Sequence, residues 1–184
     1  MHKLILSNED VNGLLGKICR DITLDDWRPD YVVGLTRGGL TAAVMISHYF
    51  KIPCETLKVS LRDGGESESN CWMAEDAFGY IPDGPLREGI DKRSDATFKK
   101  KILVVDDIND SGATINWIMQ DWPGSCLPND PDWQYVWGNN VRYAVLVDNL
   151  SSQAELSPSY TGQTINKAEQ DVWVDFPWES WWER

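Results

Sequence analysis

No run of about 18 uninterrupted apolar residues occurs anywhere in the 184-residue chain, so no segment of it reads as a membrane-spanning helix. Met1 to Asp10 lacks the basic, then apolar, then small-residue order of a secretory signal. A soluble, cytoplasmic protein without membrane partners is expected. Cysteine and histidine are scarce. Cys19, Cys54, Cys71 and Cys126 lie far apart, form no C-x-x-C pair and have only His2 and His48 as companions, which argues against a zinc site and a disulfide framework alike. Reduced, partly buried thiols are the expected state. Positive charge is also in deficit: 17 Lys plus Arg stand against 29 Asp plus Glu, a formal charge of -12 at pH 7. Such a balance repels nucleic acid, whose general affinity for proteins comes from clustered cations. Lys99-Lys100-Lys101 is too short a cluster to mark a nucleic-acid tail and reads as the solvated entrance to a strand. Internal repeats and low-complexity tracts are missing, which excludes solenoids and arrays.

What is present suits one α/β domain over residues 1–184, with 42% hydrophobic residues to fill one ordinary core. Leu14, Leu15, Ile18 and Ile22 recur at helical spacing after a cap at Asn8 to Asp10. Tyr31 to Leu35 reads as a buried strand, followed by Thr36-Arg37-Gly38-Gly39 and an apolar helix through Leu40, Ala43, Val44, Ile46 and Phe50. Further strands are expected at Thr56 to Leu61, Lys101 to Asp106 and Val141 to Val147, with a helix over Gly112 to Gln120. Alternating strands and helices imply a parallel twisted sheet flanked by helices, with ligands beyond the carboxyl ends of its strands. Residues 62–98 lose all periodicity and read as a long flexible loop, either a mobile lid or a surface insertion. Eight of the ten Trp lie from Trp117 onward, and about 150–184 reads as a small C-terminal hood in which Trp178, Trp181 and Trp182 pack against the core.

The segment that carries chemistry is Ile102-Leu103-Val104-Val105-Asp106-Asp107-Ile108-Asn109-Asp110-Ser111-Gly112-Ala113-Thr114. Four apolar residues drive a strand into the sheet, and two carboxylates follow where it emerges. Burying them unpaired would be costly, so Asp106 and Asp107 must reach water, a cation or hydroxyl donors. Asp110, Ser111, Gly112, Ala113 and Thr114 then let backbone N–H groups converge at a helix start, which suits a phosphate monoester. Carboxylates beside a phosphate cradle indicate a sugar phosphate. A G-x-G-x-x-G fingerprint and a P-loop are both absent.

The run V-V-D-D-I-N-D-S-G-A-T resembles the signature of the type I phosphoribosyltransferases. By that resemblance Asp106 and Asp107 hold the ribose 2′ and 3′ hydroxyls of 5-phosphoribosyl 1-pyrophosphate, partly through Mg2+. Asp110 to Thr114 hold its 5′-phosphate, and Asp110 takes the role of general base. Upstream, Val33 to Leu40 resembles the family's pyrophosphate loop, with Thr36, Arg37, Gly38 and Gly39 as its binding residues. Glycines there permit close approach of a ligand, and Arg37 offers forked donors to phosphate oxygens.

For the nitrogenous base, Asp171 to Glu179 (DVWVDFPWE) resembles a C-terminal segment of the xanthine, guanine and hypoxanthine phosphoribosyltransferases. It implies that Trp173 stacks on the ring and the Val174 backbone reads its edge. One departure stands out: where the family carries a Lys after the strand at Val141 to Val147, this chain has Asp148-Asn149-Leu150. Asn149 is the nearest match for a base contact, since an amide both donates and accepts. The loop start Ser60-Leu61-Arg62 likewise lacks the family's Ser-Tyr pair. The resemblance implies an Mg2+-dependent transfer to a purine base in a homo-oligomer, a dimer or tetramer. A non-catalytic sensor of nucleotide or phosphoribosyl pyrophosphate, and an enzyme for another base, stay open.

Overall fold

The computed structural model describes residues 2–59, 71–80 and 98–183. In chain order the elements are β1 (His2–Ile5), α1 (Asn8–Leu24), β2 (Tyr31–Thr36), α2 (Gly39–Phe50), β3 (Cys54–Lys58), α3 (Cys71–Phe78), β4 (Ile102–Asn109), α4 (Ala113–Ser125), β5 (Val141–Asn149), β6 (Tyr160–Ile165) and β7 (Val172–Asp175). Short 3-10 turns cover Pro131–Tyr135 and Trp181–Glu183.

Five strands form one parallel sheet in the order β3-β2-β4-β5-β6. Side chains alternate across each strand, so the central strands feed two cores. Val32, Leu103, Val105, Ala144 and Leu146 meet Leu15, Ile18 and Ile22 of α1 and Ala43 and Ile46 of α2. Val33, Leu35, Ile102, Val104, Tyr143 and Val145 meet Met73, Ala77 and Phe78 of α3 and Ile115, Ile118 and Trp122 of α4. Burying a large side chain stabilises by about 1.5–3 kcal/mol, and both faces of β4 and β5 are covered this way. The expected parallel sheet with helices on both faces is therefore what forms.

Several local expectations change. The cap of α1 is Ser7, whose hydroxyl accepts from the Asp10 N–H at 3.1 Å while Asp10 accepts from the Ser7 N–H at 2.8 Å, a reciprocal capping box. The strand expected at Thr56 to Leu61 begins earlier, at Cys54, because Val32 and Val33 pair with Cys54 and Glu55. Within the segment read as a long loop, Cys71–Phe78 is a helix whose Met73, Ala74, Ala77 and Phe78 face the core at i, i+1, i+4, i+5 spacing. Ser60 to Asn70 and residues 81–97, which hold the start of that loop and most of it, lie outside the described residues.

The C-terminal region divides in two. β6 joins the main sheet beside β5 and so is no part of a hood. β7 instead pairs in parallel with β1, Lys3 opposite Trp173, in a separate two-stranded sheet. Trp178 packs there against Phe176, rings 5.1 Å apart. Trp181 and Trp182, expected to pack on the core, are 69% and 65% exposed and touch each other edge to face. Of the thiols, Cys19 and Cys126 are buried, and burial pushes each to about 11. Cys71 is exposed rather than partly buried.

Candidate active site

The parallel register brings the carboxyl ends of β2, β4 and β5 together, and β4 delivers its carboxylates at that edge. The Asp107 N–H donates to Asp106 Oδ1 at 2.9 Å, and the Ile108 N–H donates to Asp107 Oδ1 at 2.8 Å. Burial raises the Asp107 carboxyl above the ordinary carboxylate range, and the negative charge of Glu179 pushes the same way against these hydrogen bonds. The loop after β2 is pressed against this pair. A Cβ on Gly38 would lie 2.0 Å from Asp107 Oδ2, and one on Gly39 would lie 2.3 Å from the Val105 carbonyl. Both glycines are thus dictated by contact between the two loops, not by backbone angle. The Thr36–Arg37 peptide is cis.

The loop after Asp107 is held from behind. Gly112 adopts φ 85°, and a Cβ there would meet the Ala154 nitrogen at 2.3 Å. Asn116 donates to the Gln153 carbonyl at 2.9 Å and accepts from the Glu155 N–H at 2.7 Å. Ser152 donates to Asn109 Oδ1 at 2.9 Å, and Asn109 donates to Asp148 at 2.8 Å. The segment after β5 therefore clamps the turn from both sides. The N-cap of α4 is Gly112, which offers no side chain; Ser111 Oγ accepts from the Ala113 N–H at 3.3 Å, and Ser111 and Ala113 stay exposed. Backbone N–H groups at a helix start are an anion site.

These loops floor a cleft of about 890 Å³, and all the predicted ribose, phosphate and pyrophosphate residues but one line it: Thr36, Arg37, Gly38, Asp106, Asp107 and Asp110 to Thr114, whereas Gly39 is buried. Trp173 and Val174 line its far wall, Trp173 being 42% exposed.

Asn149 is the exception. It is buried and does not line the cleft. Its Nδ2 donates to the Asp110 carbonyl at 2.8 Å, and its Oδ1 accepts from Ser151 Oγ at 2.9 Å and the Lys167 N–H at 3.0 Å. The amide holds two turns together and is buried away from the cleft, which corrects the role expected of it.

Two cationic cleft residues, Lys58 and Lys167, escaped the sequence reading, and Glu179, read only as the end of the C-terminal segment, also lines the cleft. Lys167 is the most informative. Its ammonium sits 2.8 Å from Asp110 Oδ1 and 6.0 Å from the Trp173 ring centre. It stands in a turn after β6 with no flanking motif, so no local signal marks it. Glu179 accepts from the Phe176 N–H at 3.0 Å and closes the tail back on itself.

Comparison with known proteins agrees with this geometry. The phosphoribosyl transferase domain family matches residues 4–181. A xanthine-guanine phosphoribosyltransferase of Roseobacter denitrificans is 26% identical over 155 residues, covering 83% of this chain and 69% of that one. Among solved structures, a purine phosphoribosyltransferase from Pyrococcus horikoshii superposes with a TM-score of 0.61 at 20% identity, covering 98% of this chain and 96% of that one. The Helicobacter pylori xanthine-guanine-hypoxanthine phosphoribosyltransferase gives 0.60 at 16% identity, covering 99% and 97%. With the family model matched over nearly all of this chain, the chain belongs to the phosphoribosyltransferases, a family of pentosyl-transferring enzymes.

Proposed function

We propose that the protein transfers the 5-phosphoribosyl group of phosphoribosyl pyrophosphate to a purine of the xanthine, guanine or hypoxanthine type, releasing pyrophosphate, with Mg2+ as cofactor. The observation that carries this reading is the contact of Gly38 with Asp107, which sets a pyrophosphate loop, a ribose-binding carboxylate pair and a phosphate loop edge to edge. The order of these three parts supports a reading in which phosphoribosyl pyrophosphate lies along them.

The division of labour follows from that order. Backbone N–H groups and hydroxyls from Ser111 to Thr114 receive the 5′-phosphate. The loop Thr36 to Gly39 and the Arg37 guanidinium receive the pyrophosphate. Asp106 and Asp107 accept from the ribose hydroxyls and offer oxygens to the metal. Among the described residues no three His, Cys, Asp or Glu converge on one point. That donor set fits an ion such as Mg2+, which takes most of its ligands from phosphates and water. When bound, it neutralises charge growing on the departing pyrophosphate. As the C1 bond to pyrophosphate loosens, the base nitrogen attacks and Asp110 accepts its proton. Trp173 stacks on the ring and the Val174 backbone reads its edge.

The test is direct. Incubate the protein with Mg2+, phosphoribosyl pyrophosphate and, separately, xanthine, guanine, hypoxanthine, adenine, uracil and orotate, and follow pyrophosphate release. Fastest release with a 6-oxopurine is expected. Release with uracil or orotate alone would sink the purine assignment. No turnover, with phosphoribosyl pyrophosphate still raising Tm, would make the protein a sensor of that ligand instead.

A further inference from the structure

The cations that line the cleft, among the described residues, are Arg37, Lys58 and Lys167. Sheet order separates them. Arg37 and Lys58 leave the ends of β2 and β3, on one side of β4, while Lys167 follows β6 on the other. Arg37 and Lys58 thus belong with the pyrophosphate loop, and Lys167 alone stands beside Trp173, where a flat ring would lie.

Two features hold Lys167 in place. Its backbone N–H is bound by the buried Asn149 at 3.0 Å, and its ammonium is bound by Asp110 at 2.8 Å. The ammonium and the carboxylate therefore stand side by side as a donor next to an acceptor. An ammonium has three N–H donors and no acceptor. A ring edge complementary to the pair presents a carbonyl oxygen next to an N–H. An amino group in place of the carbonyl would set donor against donor.

We infer that Lys167 is the specificity-determining residue for the acceptor base, donating to a ring carbonyl oxygen and selecting 6-oxopurines over 6-aminopurines. This rests on the phosphoribosyltransferase reading of the cleft and names the residue that divides its substrates. It also accounts for the sequence Asp148-Asn149-Leu150, which holds no cation: the charge arrives from the turn after β6, and Asn149 anchors that turn.

The experiment compares the unaltered protein with Lys167→Met and Lys167→Arg, measuring kcat/KM for hypoxanthine and adenine. Equilibrium binding of inosine and adenosine 5′-monophosphates is read from tryptophan fluorescence in parallel. Lys167→Met is expected to lose about ten- to a hundredfold for hypoxanthine and inosine monophosphate, the range for one hydrogen bond to a charged group. Adenine and adenosine monophosphate should be unchanged or improved as the donor–donor opposition is relieved, the KM for phosphoribosyl pyrophosphate should change little, and Lys167→Arg should recover part of the loss. Equal losses for the oxo and amino ligands would make Lys167 a mere support for Asp110 and overturn the inference. So would an unaltered protein that binds both monophosphates equally. Selective binding that Lys167→Met abolishes, without turnover for any base, would leave the inference standing and remove the catalytic reading.

Discussion

The two walls of the cleft are built on opposite plans. The wall proposed to hold the donor is contiguous: nine residues from Asp106 to Thr114, braced by Ser152 to Glu155 and pressed by Gly38 and Gly39, with little room to move. The acceptor wall is gathered from afar. Lys167 comes from one turn, Trp173 and Val174 from a strand outside the main sheet, and Trp182 from an exposed 3-10 turn. A chemical step shared by all substrates suits the rigid, local wall, whereas a choice among substrates suits the composite one, whose parts can change singly.

Substitutions on the two sides should separate these roles. Asp110→Asn is expected to have the largest effect, lowering kcat for every base by about 10²–10⁴-fold, the usual worth of a positioned general base. Steady-state rates measure it, and an unchanged rate would take Asp110 out of proton transfer. Gly112→Ala comes next, because a left-handed backbone and a Cβ at 2.3 Å from the Ala154 nitrogen must both be relieved. A loss of about 1–3 kcal/mol is expected from such strain, seen as a lower Tm together with a raised KM for phosphoribosyl pyrophosphate. Trp173→Ala should cost about 1–3 kcal/mol of stacking at most, and less given its exposure, appearing as a raised KM for the base alone. If Trp173→Ala weakens the donor instead, the two walls are not separable and the comparison fails.

Legibility in the sequence follows the same division. The donor wall could be read because its chemistry lies within one unbroken run, and strand, carboxylates and helix start follow one another in order. The five-strand sheet was mostly legible for a similar reason, since buried parallel strands are continuous apolar runs. α3 was hidden by its surroundings, eight residues between polar and glycine-rich stretches that swamp its spacing. β1 and β7 are four residues each, and neither shows a partner until the fold joins them. Asn149 was misread because a sequence shows that an amide is present but not which way it points. Trp181 and Trp182 were misread because aromatic content predicts burial only on average, and these two stay in water. Lys167 is legible only from the cleft that receives it.

The strand pair that joins Lys3 to Trp173 also bears on the order of events during folding. Contacts so far apart in sequence return nothing until a very long loop has closed, so they form late. The five-strand sheet, linked by shorter crossovers, can assemble first and present the two loops proposed to hold the phosphate and pyrophosphate. A chain caught at that stage would already hold Lys167 beside Asp110 but would lack the Trp173 and Val174 wall against which a base would lie.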